Sequence, residues 1–324
     1  MLKEIVKLAA HRSGAIRFVQ RLNRNRVRIL MYHRFPRRHA EAFDRQCEFL
    51  AAHYKVVSLA EAARRLKYND PVPNLAVITV DDGYSDMHEV AFPILQKHDL
   101  PATLFVTTGF ANRTCWMPGD RVRHYFAHTE KERVEVTDEQ GEVHRFPTKG
   151  SLGLDGLRGL LKRVPNHIRT RILSELEGGG EAQETATSIP AEYEPCTWEQ
   201  LREMANGGIS LGAHTVTHPI LSRVETKEET EREILDSKAC LERELRKEVD
   251  LFAYPNGTQQ DINSVSVNCV RTHFSSAVTA IFGLNAPGGD VHQLLRLPCD
   301  PGFPVPQLAR MMAGPLRRSG ASAR

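Results

Sequence analysis

The chain has no Cys-x-x-Cys pair. Its six cysteines (Cys47, Cys115, Cys196, Cys240, Cys269 and Cys299) are scattered across 324 residues. That excludes a zinc ribbon, a dithiol redox motif and a dense disulfide framework, and it fits a reducing compartment. No stretch reaches the roughly 18 apolar residues that a membrane span needs. The N-terminus shows neither the apolar core nor the small-residue cleavage site of a secretory signal. The expectation is a cytoplasmic protein. There is no internal repeat.

Net charge is also scarce, at +3, but it is unevenly placed. Residues 1–39 hold eleven Lys/Arg against the single acid Glu4, and residues 310–324 hold four Arg and no acid. Residues 40–309 therefore carry 28 basic and 39 acidic side chains, a net of −11. An acidic body argues against a nucleic-acid partner. Basic ends are most simply solvated, although residues 1–26 form a basic amphipathic helical segment that would suit peripheral contact with an anionic membrane. Oligomeric state is not encoded in any recognisable pattern.

What is present is an alternation of strands and helices. Val27–Tyr32, Leu75–Val80, Ala102–Thr107, Ile209–Ala213, Val249–Tyr254, Ser275–Phe282 and Gln293–Leu297 read as seven strands. They are short, β-branched and bounded by Gly, Pro and Asn. Between them, helices are expected over Ala40–Tyr54, from Ser58 through Leu66, over Met87–His98 with a kink at Pro93, from the capping box Thr197–Gln200 to Asn206, and over Glu225–Lys247. Alternating elements imply an α/β fold with a parallel sheet. Residues 111–196 break the alternation and read as an insertion too poor in apolar residues to hold much core. Residues 301–324, rich in Pro, Gly and Arg, read as a flexible tail.

Four strands end in residues suited to catalysis: His33, Asp81-Asp82, His214 through His218, and Tyr254 through Gly257. In a closed parallel β/α barrel every C-terminal strand end lies on one face, so these distant residues converge. Asp81 and Asp82 are adjacent at a strand exit and can do two different jobs. His214 and His218 are four apart, but Pro219 disfavours α geometry at His218, so the pair is expected in a loop or a single turn. Two histidines and one carboxylate with open positions form a catalytic arrangement for zinc or another divalent ion. Such an ion would polarise a carbonyl and bring the pKa of a bound water to about 7. A second carboxylate could take the water's proton, and the Asn256-Gly257 turn could aim an N–H at the oxyanion. This describes metal-assisted hydrolysis of an amide or ester.

Thr79–Gly83 (Thr-Val-Asp-Asp-Gly), His214–Pro219 (His-Thr-Val-Thr-His-Pro) and Phe252–Gly257 (Phe-Ala-Tyr-Pro-Asn-Gly) resemble, in order and spacing, the first three motifs of the polysaccharide deacetylases with a NodB-type domain. The resemblance covers residues 27–110 and 197–300. It implies a distorted (β/α)7 TIM-like barrel, with a helical insertion, that removes N-acetyl groups from amino-sugar polymers using a divalent metal, most simply Zn2+. Carried over, Asp81 is the base, Asp82, His214 and His218 are the metal ligands, and the N–H of Asn256 is the oxyanion donor. Two features depart from the pattern. Ala253 stands where many members have an arginine bracing the catalytic aspartate, and the late Leu-x-His motif is absent, since Leu295-Arg-Leu-Pro298 has no histidine. Met31-Tyr-His33 resembles a branch in which an N-terminal histidine replaces that acid, so His33 is expected as the general acid. Arg296 is expected to supply the missing arginine's charge from another strand. Tyr254, Pro255 and Trp116 are expected to touch substrate. The glycan is expected to be a polysaccharide or its lipid-linked precursor. The alternatives are a carbohydrate O-acetyl esterase and a catalytically silent glycan-binding barrel.

Overall fold

The structure is a computed structural model and describes residues 15–176 and 189–314. In chain order the elements are α1 (Ala15–Leu22), β1 (Arg28–Tyr32), α2 (Ala40–His53), β2 (Lys55–Val56), α3 (Leu59–Lys67), β3 (Leu75–Val80), α4 (Phe92–Lys97), β4 (Ala102–Val106) and α5 (Thr108–Ala111). The insertion follows as α6 (Pro118–His128), β5 (Arg133–Thr137), β6 (Val143–Pro147), α7 (Ser151–Leu161) and α8 (Asn166–Leu176). The chain then runs through α9 (Trp198–Asn206), β7 (Ile209–Ala213), α10 (Lys227–Leu245), β8 (Leu251–Ala253), α11 (Ser264–His273), β9 (Ser276–Phe282), β10 (Leu294–Pro298) and α12 (Val305–Ala313).

Seven strands pair in parallel in the order β1-β10-β9-β8-β7-β4-β3, and β3 closes back onto β1 over Arg28–Tyr32 and Ala76–Val80. The result is a closed seven-stranded parallel barrel with flanking helices. The short β2 pairs with the N-terminal end of β3, outside the ring. Burial on both faces explains why the strand sequences are continuously apolar instead of alternating. Leu30, Tyr32, Ala76, Ile78 and Val80 pack outward against helices, with Phe43, Leu50, Leu201 and Ile234. Ile29, Leu75, Val77, Phe105, Ala253 and Leu294 face inward with Leu59, Ala62 and Leu66 of α3, which closes that end of the barrel.

Local rules account for several boundaries. Ser58 Oγ accepts the Glu61 N–H, and Thr197 with Gln200 forms a complete capping box. The expected kink at Pro93 takes a specific form. Residues Met87–Ala91 make a π-helical turn in which the Phe92 N–H reaches back to the Met87 carbonyl, and α-geometry resumes at the proline, which has no N–H to give.

Two expectations are corrected. The insertion has a core of its own: Val122, Val134, Val136, Leu157, Leu160, Ile172 and Leu173 pack between the β5–β6 hairpin and helices α6, α7 and α8. Its apolar residues are spread among charged ones across five elements, so no single stretch looks core-forming. The segment from Pro301 onward is not a tail throughout, because α12 packs Leu308 and Met312, both fully buried, against the barrel. The C-terminal carbonyls of α12 are met by buried side chains. Arg28 Nε donates to Met312 O at 2.6 Å and Asn23 Nδ2 to Ala313 O at 2.8 Å. A guanidinium there also complements the negative end of the helix dipole. The basic segment expected over residues 1–26 lies mostly outside the described residues. Its visible helix, α1, leaves Phe18 and Leu22 exposed. Among the described residues no helix is long and apolar enough to cross a membrane.

Candidate active site

The C-terminal ends of β1, β3, β7 and β8 open onto one cavity of about 290 Å3, lined by His33, Asp82, His218 and Asn256 among others. Period-two alternation places Asp81 on the inward face with Val77 and Thr79, and it is 2% exposed. The same alternation would send Asp82 outward, toward the helices. A left-handed backbone at Asp82 (φ 78°) and Gly83 (φ 97°) turns its carboxylate back to the mouth. Left-handed residues other than glycine are uncommon, and here Asp82, His218 and Asn256, which all line the cavity, adopt that conformation, as does the buried Thr215.

Arg296, on β10, is fully buried and grips Asp81 in a two-pronged ion pair. Its Nη1 and Nη2 lie 2.7 Å from Oδ1 and Oδ2, while Nε donates to Thr279 O at 2.6 Å. Burial alone would raise the Asp81 carboxyl. The charge and hydrogen bonds of Arg296 outweigh it, holding Asp81 ionised below the ordinary carboxylate range. His33 Nε2 stands 3.8 Å from Asp81 Oδ2 and is half-exposed to the cavity.

On the other side of the pair, His214 Nε2 and His218 Nε2 each lie 3.5 Å from Asp82 Oδ1. His214 Nδ1 is 2.7 Å from the Ala253 carbonyl, which holds the ring and turns Nε2 toward Asp82. The donor atoms of Asp82, His214 and His218 all lie within 4.8 Å of one another. Burial, followed by the neighbouring His214, pushes His218 down to about 3, so its ring is neutral and free to ligate. Burial also opposes charge on His214, but its contact with Asp82 and the two carboxylates prevail and raise it. The same carboxylates hold a field that favours a cation. This donor set, two imidazoles and one carboxylate converging on one point, fits a divalent ion that would displace the proton between His214 and Asp82.

The loop carrying the histidines is braced by a residue that sequence reasoning passed over. Glu233, on α10, accepts the N–H groups of Val216 and Thr217 at 2.9 Å each and the Thr217 hydroxyl at 2.6 Å. The His218 N–H reaches Thr215 Oγ1 at 3.1 Å, and the left-handed φ of 58° at His218 keeps it out of a helix, as Pro219 requires. Only the i+3/i+4 acids of a long charged helix hinted at Glu233. At β8, Asn256 (φ 56°) and Gly257 (φ 59°) make the tight turn, and a Cβ at Gly257 would sit 2.7 Å from Tyr254 O and 2.8 Å from Ala280 N.

Asp81, Asp82, His33, His214, His218, Asn256 and Arg296 are thus brought together. Tyr254, Pro255 and Trp116 are not among the cavity-lining residues. Tyr254 is buried on the helix-facing side against Phe252, Pro255 is buried beside it, and Trp116 packs on His124 and Tyr193. The insertion instead offers Met117, Asp120, Arg123, Arg158, Lys162 and Arg169 to the cavity. Asp120 is hydrogen-bonded by the Tyr84 hydroxyl.

Comparison with known proteins agrees with this geometry. Solved structures with the same fold include a deacetylase of Streptococcus pyogenes, PplD, in complex with acetate (TM-score 0.58, 22% identity, 89% of this chain and 99% of that one). Another is IcaB of Ammonifex degensii (TM-score 0.56, 20% identity, 89% and 97%). YxkH of Bacillus subtilis (strain 168), which carries a polysaccharide deacetylase description, is 22% identical over 284 residues, or 85% of this chain and 72% of that protein. The sequence model for polysaccharide deacetylases matches residues 68–268, well over half of the chain, and the protein belongs to that family.

Proposed function

We propose that this polysaccharide deacetylase removes N-acetyl groups from N-acetylhexosamine units of a glycan, with a divalent ion, most simply zinc, held by Asp82, His214 and His218. The observation that carries the reading is the buried Asp81. It is gripped by Arg296, stands 3.8 Å from His33 Nε2 and directly precedes the candidate ligand Asp82. When bound, the ion supplies Lewis acidity to the acetamido carbonyl and to the attacking water.

The protein's own groups do the rest. Asp81 takes a proton from water as the water oxygen bonds to the carbonyl carbon. Arg296 fixes the carboxylate's orientation and keeps it in the basic form. The Asn256 N–H donates to the oxyanion as charge builds on it. His33 then gives a proton to the amide nitrogen as the C–N bond breaks, which yields acetate and a free amine. An amine is a poor leaving group unless protonated, so the acid matters more for an amide than for an ester.

Acetate release from N-acetylhexosamine oligosaccharides and from O-acetylated sugars tests the reading. Release from the N-acetyl substrates supports it. Release confined to the O-acetyl sugars makes the protein an esterase, and a zinc-loaded protein silent on both removes hydrolysis of free oligosaccharides from consideration.

A further inference from the structure

The cavity holds more positive charge than hydrolysis of a neutral amide calls for. Five cations line it: Arg34, Arg123, Arg158, Lys162 and Arg169. Two are neutralised in place, Arg34 by Asp86 and Arg123 by Asp120, each at 2.7 Å. The other three belong to the insertion, on α7, on the turn that follows it and on α8. Among the described residues none of them has a carboxylate within 4.0 Å, the ion-pair limit.

Arg169 is the most telling of the three. It is only 7% exposed, its Nη1 donates to the His218 carbonyl at 3.2 Å, and its Nε has no hydrogen-bond partner. A guanidinium stays charged in proteins, and the nearest acids, Glu233 and Glu225, act on this one only through space. Of these, Glu233 is committed to the Val216 and Thr217 N–H groups, and Glu225 to His167. A buried guanidinium with an unused donor is costly unless a ligand supplies the negative charge. Guanidinium groups suit carboxylate and phosphate oxygens in particular. Three cations without carboxylate partners on one wall of the cavity would attract an anion there.

We propose that the substrate is an anionic amino-sugar glycan whose carboxylate or phosphate group docks on Arg158, Lys162 and Arg169 while its N-acetyl group lies at Asp81 and His33. The assignment of the sugar rests on the deacetylase reading, whereas the anion site rests on the cations alone. In this arrangement the insertion is the specificity element: the barrel supplies the reaction and α7 and α8 select the charge of the glycan.

The test is binding, read by calorimetry on zinc-loaded Asp81→Asn protein and, as a check on its fold, on chelated wild type. The ligands are three matched N-acetylglucosamine trisaccharides: one neutral, one ending in a hexuronic acid and one ending in a 1-phosphate. At about 20 mM salt at least one charged ligand binds about ten-fold tighter than the neutral one, and the advantage shrinks at about 300 mM. The tighter arm identifies the group as carboxylate or phosphate. In Arg158→Ala/Lys162→Ala protein the ratio falls toward one. Equal affinities for all three ligands overturn the proposal. So does an advantage that survives the double substitution, or one that plain sodium acetate competes away at the same concentration as the sugar anion. Binding is measured without turnover, so an absence of acetate release from wild type would remove the deacetylase reading and leave this result standing.

Discussion

Arg296 and Asp81 meet as a fully buried, two-pronged ion pair, although they stand 215 positions apart and come from strands that lie on either side of β1 in the barrel. The pair gives Asp81 a guanidinium from β10, in a chain that has Ala253 where the family resemblance leads one to expect an arginine.

Arg296→Met therefore leaves a buried carboxylate without its partner. The expected cost is about 3–5 kcal/mol in urea unfolding, with turnover lost. Arg296→Lys keeps the charge but not the fork, and it recovers stability better than activity. In Asp81→Asn/Arg296→Met most of the lost stability returns while the enzyme stays inactive. A Met variant with full turnover would refute the bracing role.

Among the described residues, His33 is the one imidazole beside Asp81 that is neither a candidate metal ligand nor deeply buried. His33→Gln is expected to lower kcat on N-acetyl substrates by about 100-fold or more, with little change in thermal stability. The loss on an O-acetyl ester is smaller. Equal losses on amide and ester would mean that His33 does not act as the acid.

Metal binding should be visible in stability as well as in activity. Zinc at 100 times its dissociation constant adds about 2.7 kcal/mol, read as a rise in Tm that is absent from His214→Ala. One equivalent of zinc per chain is expected in wild type. An unchanged Tm with no bound metal would contradict the ligand assignment of Asp82, His214 and His218.

The helix α12 is part of the folded body. Leu308→Ala is expected to cost about 2–5 kcal/mol, the usual range for a fully buried leucine. A cost under about 1 kcal/mol would show that the helix does not pack on the barrel in solution.

The cysteines should be quiet. Burial raises Cys115, Cys196 and Cys299 to about 12 and Cys269 to about 11, and it raises Cys47 further. At pH 8 the thiolate fraction of these five is about one part in a thousand or less. Native protein is expected to label with a disulfide reagent at no more than one thiol within minutes, and at all six in guanidinium. Several fast thiols in the native state would contradict the burial.

The barrel and the convergence of the candidate site residues could be read from the sequence because their signals are local. Each strand is a short, mostly apolar run, and His33, Asp81, Asp82, His214 and Asn256 stand at or just past the end of one. Arg296 was accessible only by asking what replaces a missing charge. Tyr254 was misplaced for a reason that the sequence contains: it shares its face with Phe252, and Phe252 belongs to the helix-facing core. Proximity to a motif says nothing of side-chain direction, which the period of two does. The core of the insertion and the packing of α12 are sums over elements far apart in sequence, with apolar positions diluted by charged ones, so no window reveals them. Arg158, Lys162 and Arg169 carry no motif in the sequence, and only the docking of α7 and α8 over the cavity brings them to one wall.

The central claim is that Asp81 acts as a base beside a bound divalent ion in amide hydrolysis. The most direct measurement is acetate release from an N-acetylhexosamine oligosaccharide by chelated protein, by the same protein after zinc is restored, and by zinc-loaded Asp81→Asn. Acetate is expected only from the zinc-restored wild type. Equal release with and without metal, or undiminished release from the Asp81→Asn enzyme, would contradict it.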